Sequence, residues 1–167
     1  MALLEKFLVV KKSTVPGAGK GLFTKVDIKK GTYIVEYKGE VVTWKEVEKM
    51  ADDRNGYVFY FTSKYCIDAW KTKKSVAHFA NDAKGIVRVE GVKNNAEYVT
   101  EKKRCYIEAV KNIPAGSEIF VGYGADYWRV IRYNIRLEQK NREKEGKKAT
   151  EVELPHHKAA KRTKLHH

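Results

Sequence analysis

Glu118-Ile119-Phe120-Val121-Gly122-Tyr123-Gly124-Ala125-Asp126-Tyr127-Trp128 decides how the rest of this 167-residue chain is read. A short β-prone run, Glu118 to Val121, leads into a Tyr held between two glycines, and two more aromatics follow. Glycine ends a regular strand and lets the backbone approach another group closely. Tyr123 therefore reads as part of a pocket floor rather than as the interior of a strand or helix.

Upstream, the chain is a succession of short β-prone segments. Phe7 to Val10 is a strand, Val15-Pro16-Gly17-Ala18-Gly19 is a loop, and Leu22-Phe23-Thr24 opens another strand. Tyr33 to Val42 is one long β-prone run. Thr43-Trp44-Lys45-Glu46 has the capping-box pattern and starts a helix to about Asp52. Tyr57 to Phe61 and Tyr65 to Ala69 form a hairpin, and Ser75 to Ala80 forms one helical turn. Ile86 to Gly91, Ala96 to Thr100 and Arg104 to Val110 are further strands, with a turn at Asn112 to Gly116. Many short strands broken by Gly and Pro argue for a mainly β protein of small curled sheets with short helices. Beyond Trp128 the pattern becomes helical, with Ile131, Ile135 and Glu138 on one stripe.

Three patches occur in a fixed order: Gly19-Lys20-Gly21-Leu22-Phe23, Ala77-His78-Phe79-Ala80-Asn81-Asp82, and the closing Tyr123 motif. Together they resemble the SET domain, the catalytic module of many protein lysine methyltransferases, over about Lys11 to Trp128. The resemblance implies a SET fold around a C-terminal pseudoknot, in a compact form without flanking zinc modules. It divides the chain into a domain over 1–128, a C-terminal helix over 129–142, and a basic, disordered tail over 143–167. It also implies S-adenosylmethionine as cofactor and a protein lysine, on histones or other basic proteins, as methyl acceptor. By resemblance Tyr123, Tyr37 and Tyr98 are catalytic, and Lys20, Gly21, Leu22, Tyr65, Asn81, Asp82, Tyr123 and Trp128 hold the cofactor. Tyr37, Tyr98, Val121 and Tyr127 line the lysine channel. The middle patch departs from the family pattern. Asn81 keeps the Asn of the usual Asn-His pair, Asp82 stands in place of the His, and the Pro-Asn element is displaced to Asn94-Asn95. An Asp accepts hydrogen bonds but does not mimic a neutral donor–acceptor imidazole.

Cys66 and Cys105, with no partner at metal-ligand spacing, read as buried reduced thiols, and no metal is expected. With no long apolar span, the expectation is an intracellular protein without a membrane partner, nuclear or else cytoplasmic. The net charge of +13 favours polyanions, so contact with nucleosomal DNA is one expectation and a merely basic surface the other. Lys158-Ala159-Ala160-Lys161-Arg162-Thr163-Lys164 reads either as a nuclear import signal or as a solvated charge run. The wall of the channel after Trp128 comes from the C-terminal helix, from a partner, or from a second subunit in a homodimer. Two alternatives to the enzyme stand beside it: a catalytically silent SET-like module that binds protein or chromatin, and a nucleic-acid binder.

Overall fold

The computed structural model describes residues 3–72, 75–85, 88–145 and 157–163. Three small antiparallel sheets carry the fold. In the first, β1 (Leu8–Lys12) pairs with β2 (Lys20–Thr24), which pairs with the two-residue β9 (Glu118–Ile119). The second is β3 (Tyr33–Tyr37), β8 (Arg104–Ala109) and β7 (Ala96–Glu101). The third is β4 (Glu40–Val42), β6 (Tyr65–Asp68) and β5 (Val58–Thr62).

Alternation along the strands decides which residues face inward. In β8, Cys105, Ile107 and Ala109 are buried while Arg104 is exposed, and in β7 Ala96 and Tyr98 are buried. These side chains meet Leu22, Ile34, Val35, Tyr37, Phe59, Ile119 and Val121 in one core. The two cysteines are free and buried, as expected, and burial raises both thiols above the usual range. The β7–β8 hairpin turns through Lys102 and Lys103 at φ of 49° and 63°, the left-handed pair that matches strand twist in a tight hairpin.

The long run Tyr33 to Val42 is two strands rather than one. At the break, a Cβ on Gly39 would lie 2.3 Å from the Asp68 carbonyl oxygen, so only glycine lets the two backbones pass. Asp68 itself accepts the Trp70 N–H at 2.9 Å, a structural turn contact. Half of the capping box forms: Thr43 Oγ1 accepts the Glu46 N–H at 3.2 Å, while the Glu46 carboxylate accepts from the Thr43 hydroxyl at 3.2 Å. The helix it starts, α1 (Trp44–Glu48), is shorter than expected, and a 3-10 segment at Asp52–Tyr57 follows. No strand forms over the described part of the Ile86–Gly91 run; Ile86 and Val87 lie outside the described residues.

The second helix, α2 (Ala125–Glu145), starts before Tyr127 and Trp128, so both aromatics are helical. Its buried residues are Tyr127, Asn134 and Leu137, which follow a helical stripe through Ile131. Glu138, expected on that stripe, is exposed and pairs with Arg142 at 3.1 Å, because the stripe continues through Leu137 instead. The helix continues past 142, and 157–163 is packed against the fold, with Ala159, Ala160 and Lys161 buried. Over these residues the expected disordered tail and solvated charge run are not found.

Candidate active site

The site is built where the chain's end meets its middle. Phe120 and Val121 bridge in parallel to Asn81 on one side and Ala96 on the other. Asn95 fixes this junction from its side chain, donating to the Glu118 carbonyl at 2.9 Å and accepting the Phe120 N–H at 2.9 Å. The displaced Asn-Asn pair thus pins the strand that carries Tyr123.

Glu118 is 5% exposed and acts on the other wall. Its carboxylate accepts from Ser13 Oγ at 2.7 Å, and from the Thr14 N–H and hydroxyl at 2.9 and 2.7 Å. The Asn81 amide leans on the same carboxylate at 3.5 Å and donates to the Lys20 carbonyl at 2.9 Å. The Asn81 bond ties the middle patch to β2, and the Glu118 bonds anchor the start of the 15–18 loop to β9. Charge-assisted bonds of this kind are about twice as strong as neutral ones.

Asp82, also buried, ties the middle patch to the closing motif. One carboxylate oxygen accepts the Tyr123 N–H at 2.9 Å and Trp128 Nε1 at 2.7 Å. The other accepts the Lys84 N–H at 2.9 Å and the Asn94 amide at 3.0 Å. Four donors and no facing acceptor suit an ionised carboxylate better than an imidazole. The departure from the family pattern is therefore matched by its surroundings.

These contacts frame a cavity of about 820 Å³. Its walls include the 15–18 loop, Lys20, Tyr57, His78, Phe79, Asn81, Asp82, Tyr123, Tyr127 and Trp128. That volume lies within the ~300–1,000 Å³ usual for small-molecule pockets. Burial, helped by the Lys161 cation, lowers His78 from 6.5 to about 4, so its imidazole is neutral at pH 7. Its buried Nδ1 has no hydrogen-bond partner.

Behind Tyr123 runs an aromatic channel. Tyr37, Tyr98 and Tyr123 are all buried, with ring centroids 5.9 Å apart for Tyr37–Tyr98 and 6.5 Å for Tyr98–Tyr123. Tyr127 meets Tyr123 edge-on at 4.9 Å, and Phe59 closes the side at 5.1 Å from Tyr98. The Tyr37 hydroxyl donates to the Tyr57 carbonyl and the Tyr123 hydroxyl to the Ala80 carbonyl, each at 2.7 Å. Burial pushes all three phenols well above their usual range, so none supplies a phenolate base near neutral pH. The Tyr98 hydroxyl is buried without a partner.

Of the residues expected around the cofactor, Lys20, Asn81, Asp82, Tyr123 and Trp128 line this cavity, and so does Tyr127, expected in the channel. Gly21, Leu22 and Tyr65 do not. Leu22 points into the core, and a Cβ at Gly21 would run into the Glu118 carboxylate at 2.3 Å. Tyr65 sits at the far end of the β5–β6 hairpin, its hydroxyl donating to the Lys103 carbonyl at 3.1 Å. Val121 is fully buried beside the junction with Ala96. Three residues were given no site role by the sequence reading: Glu118, which only opened the closing strand; His78, which lies inside the middle patch; and Lys161, which fell in the basic run. The Lys161 side chain is fully buried, with Nζ 4.6 Å from the Tyr123 ring centroid and 5.3 Å from that of Tyr37.

Comparison with known proteins agrees with this architecture. The SET domain family model matches residues 19–124. A histone-lysine N-methyltransferase EZH2 of Chaetomium thermophilum is 28% identical over 73% of this chain and 8% of its own length. The histone-lysine N-methyltransferase set-1 of Caenorhabditis elegans is 28% identical over 72% of this chain and 51% of its own. Among solved structures, an active polycomb repressive complex 2 in the stimulated state matches with a TM-score of 0.58. That match is 24% identical and covers 72% of this chain and 15% of the other. The chain belongs to the SET domain family. It spans about half or less of the length of these curated relatives.

Proposed function

We propose that this chain is a protein-lysine N-methyltransferase that uses S-adenosylmethionine and acts on histones or other basic proteins. The observation that carries the reading is the meeting, at Tyr123 and His78, of an open cavity with an aromatic-walled slot that a lysine side chain fills. The cavity lining suits the cofactor. Tyr57, Phe79 and Trp128 offer faces to a planar base, the Lys20 amine suits a carboxylate, and His78 Nδ1 is an unused buried polar atom. Bound there, the cofactor would supply a methyl group on a positively charged sulfur.

The chain's own residues have four tasks. The channel strips water from the lysine, which favours the neutral amine over the ammonium. An ordinary lysine, near ~10.4, is neutral in only about one molecule per thousand at pH 7, so this shift matters. Tyr37 and Tyr123 hold the amine on its axis, a positioning effect. The carbonyls of His78 and Ala80, with the Tyr123 hydroxyl, form the polar ring at the channel's end. The amine's proton leaves to water, since the buried phenols stay protonated.

The silent-module reading rested on Asp82 and the displaced Asn94-Asn95 element; the hydrogen bonds that both make within the site favour the enzyme instead. The SET relatives named as histone-lysine methyltransferases support histones as the substrate class, and with it a nuclear place of work. Titration calorimetry with S-adenosylmethionine and its demethylated product, without added metal, tests the cofactor. Methyl transfer to a histone panel and to total cell protein tests the substrate. Absence of binding heat for both ligands would refute the reading.

A further inference from the structure

Lys161 is an unusual side chain: a lysine with no exposed surface and, among the described residues, no carboxylate within ion-pair distance. Lysine is almost never fully buried unless paired. Here the segment around it is laid into the fold by specific contacts at each position. The Asn134 side chain of α2 donates to the His157 carbonyl at 2.8 Å and accepts the His157 N–H at 2.9 Å. Ala160 fills a small pocket among Val42, Val47, Val58 and Cys66, and Ala159 joins the main core. The backbone of Lys161 adds in parallel to β5, donating to the Val58 carbonyl and accepting the Tyr60 N–H, both at 2.8 Å. Beyond it, the Arg162 N–H donates to the Tyr123 carbonyl at 3.2 Å. The Arg162 guanidinium lies 4.2 Å from the Tyr60 ring centroid and 3.6 Å from the Asp126 carboxylate.

This is how an extended peptide is recognised by strand addition, with alternate side chains dropped into pockets. The side chain at the centre is directed down the aromatic channel. Its Nζ lies between the faces of Tyr123 and Tyr37 and 3.4 Å from the His78 carbonyl, to which it donates. His78 and Tyr123 are also walls of the open cavity, so the amine stands at the boundary between channel and cavity. The cavity keeps its 820 Å³ with the lysine in place.

We propose that Lys161 is a methyl acceptor in cis, and that residues 157–163 occupy the channel as an intramolecular substrate that outside lysines must displace. This rests on the methyltransferase reading above and names the substrate pattern of the same site: small residues before the lysine and a basic residue after it. In the transfer, the lone pair of the neutral Lys161 amine forms the N–C bond while the methyl's bond to sulfur breaks. The bonding pair stays on sulfur, which becomes a neutral thioether, and the methylated ammonium releases its proton to water. Burial supports this chemistry, because it lowers Lys161 from 10.5 to about 7. About half of the amines are then neutral at pH 7.

The test uses the full chain. Intact-mass and peptide mapping after incubation with S-adenosylmethionine should show methylation at Lys161, at a rate unchanged by tenfold dilution of the protein. Without cofactor, acetic anhydride should label Lys161 at least about tenfold more slowly than exposed Lys25, because labelling waits for the segment to open. Asn134→Ala, which removes two of the segment's hydrogen bonds, should speed that labelling and raise transfer to an added histone. Three results would overturn the proposal: labelling of Lys161 as fast as Lys25, a methylation rate that scales with protein concentration, or an unmodified Lys161 beside methylated histone. The last would leave the enzyme reading standing, whereas no methylation of anything would remove both.

Discussion

Asp82→Asn keeps the shape of the side chain and changes only which edge accepts. In the native site both carboxylate oxygens face donors: Tyr123 N–H and Trp128 Nε1 on one, Lys84 N–H and the Asn94 amide on the other. An asparagine has one accepting edge, so its own NH₂ must face two donors. The less costly arrangement turns the NH₂ toward Lys84 and Asn94, because Lys84 is exposed and its N–H can recover a bond to water. The Asn94 amide cannot simply flip, since its oxygen already accepts the Ala83 N–H at 2.8 Å. Two bonds to a charge are lost at about 1.5–3 kcal/mol each and about 1 kcal/mol is regained from water, for a net cost of about 2–5 kcal/mol. For a chain of this length that is a fall in Tm of about 10 °C. Urea unfolding followed by Trp fluorescence, with linear extrapolation, measures it. A loss below about 0.5 kcal/mol would refute the argument that Asp82 ties the two halves of the site together.

Tyr123→Phe keeps the ring but leaves the buried Ala80 carbonyl unpaired, so it should lower methyl transfer about 10–100-fold while cofactor binding persists. Single-turnover assays beside calorimetry check this; full activity would mean the ring is packing alone. His78 titrates from 6.5 in the unfolded chain to about 4 in the folded one, so the unfolded chain binds the extra proton in between. Its contribution to stability is complete above pH 6.5 and is lost as pH falls toward 4. His78→Gln should flatten that part of the stability–pH curve; an unchanged slope would assign the titration elsewhere.

Much of the site was legible because glycine and tyrosine together leave a strong local signature. The SET-like pattern singled out Tyr123, Lys20 and Asn81 in three separate patches, and the three do line one cavity. Features set by distant partners were not legible. Tyr33 to Val42 reads as one strand because nothing local announces that Asp68 will pass Gly39 at van der Waals distance. Nothing local gives Glu118 a role, because its partners, Ser13 and Thr14, lie more than a hundred residues away. Ala159-Ala160-Lys161-Arg162 has too little apolar surface to suggest burial. Its environment is a groove supplied by β5, α2 and the Tyr123 turn, which no periodicity within the segment encodes.

The parallel bridging of Phe120 and Val121 between Asn81 and Ala96 also bears on how the molecule is made. The β5–β6 and β7–β8 hairpins close over turns of a few residues and form early, since short loops cost little entropy. The slot between Asn81 and Ala96 fills only when the chain beyond Ile119 arrives, and β2 waits nearly as long for its partner β9. Such non-local pairing slows folding. During synthesis from the N-terminus, the ribosome would therefore carry a chain with its hairpins finished and no cavity, because Tyr123 emerges after every other wall except α2 and the 157–163 segment. A nascent chain held short of that point lacks this cavity, so under the proposed function any methylating capacity would appear late and in a single step.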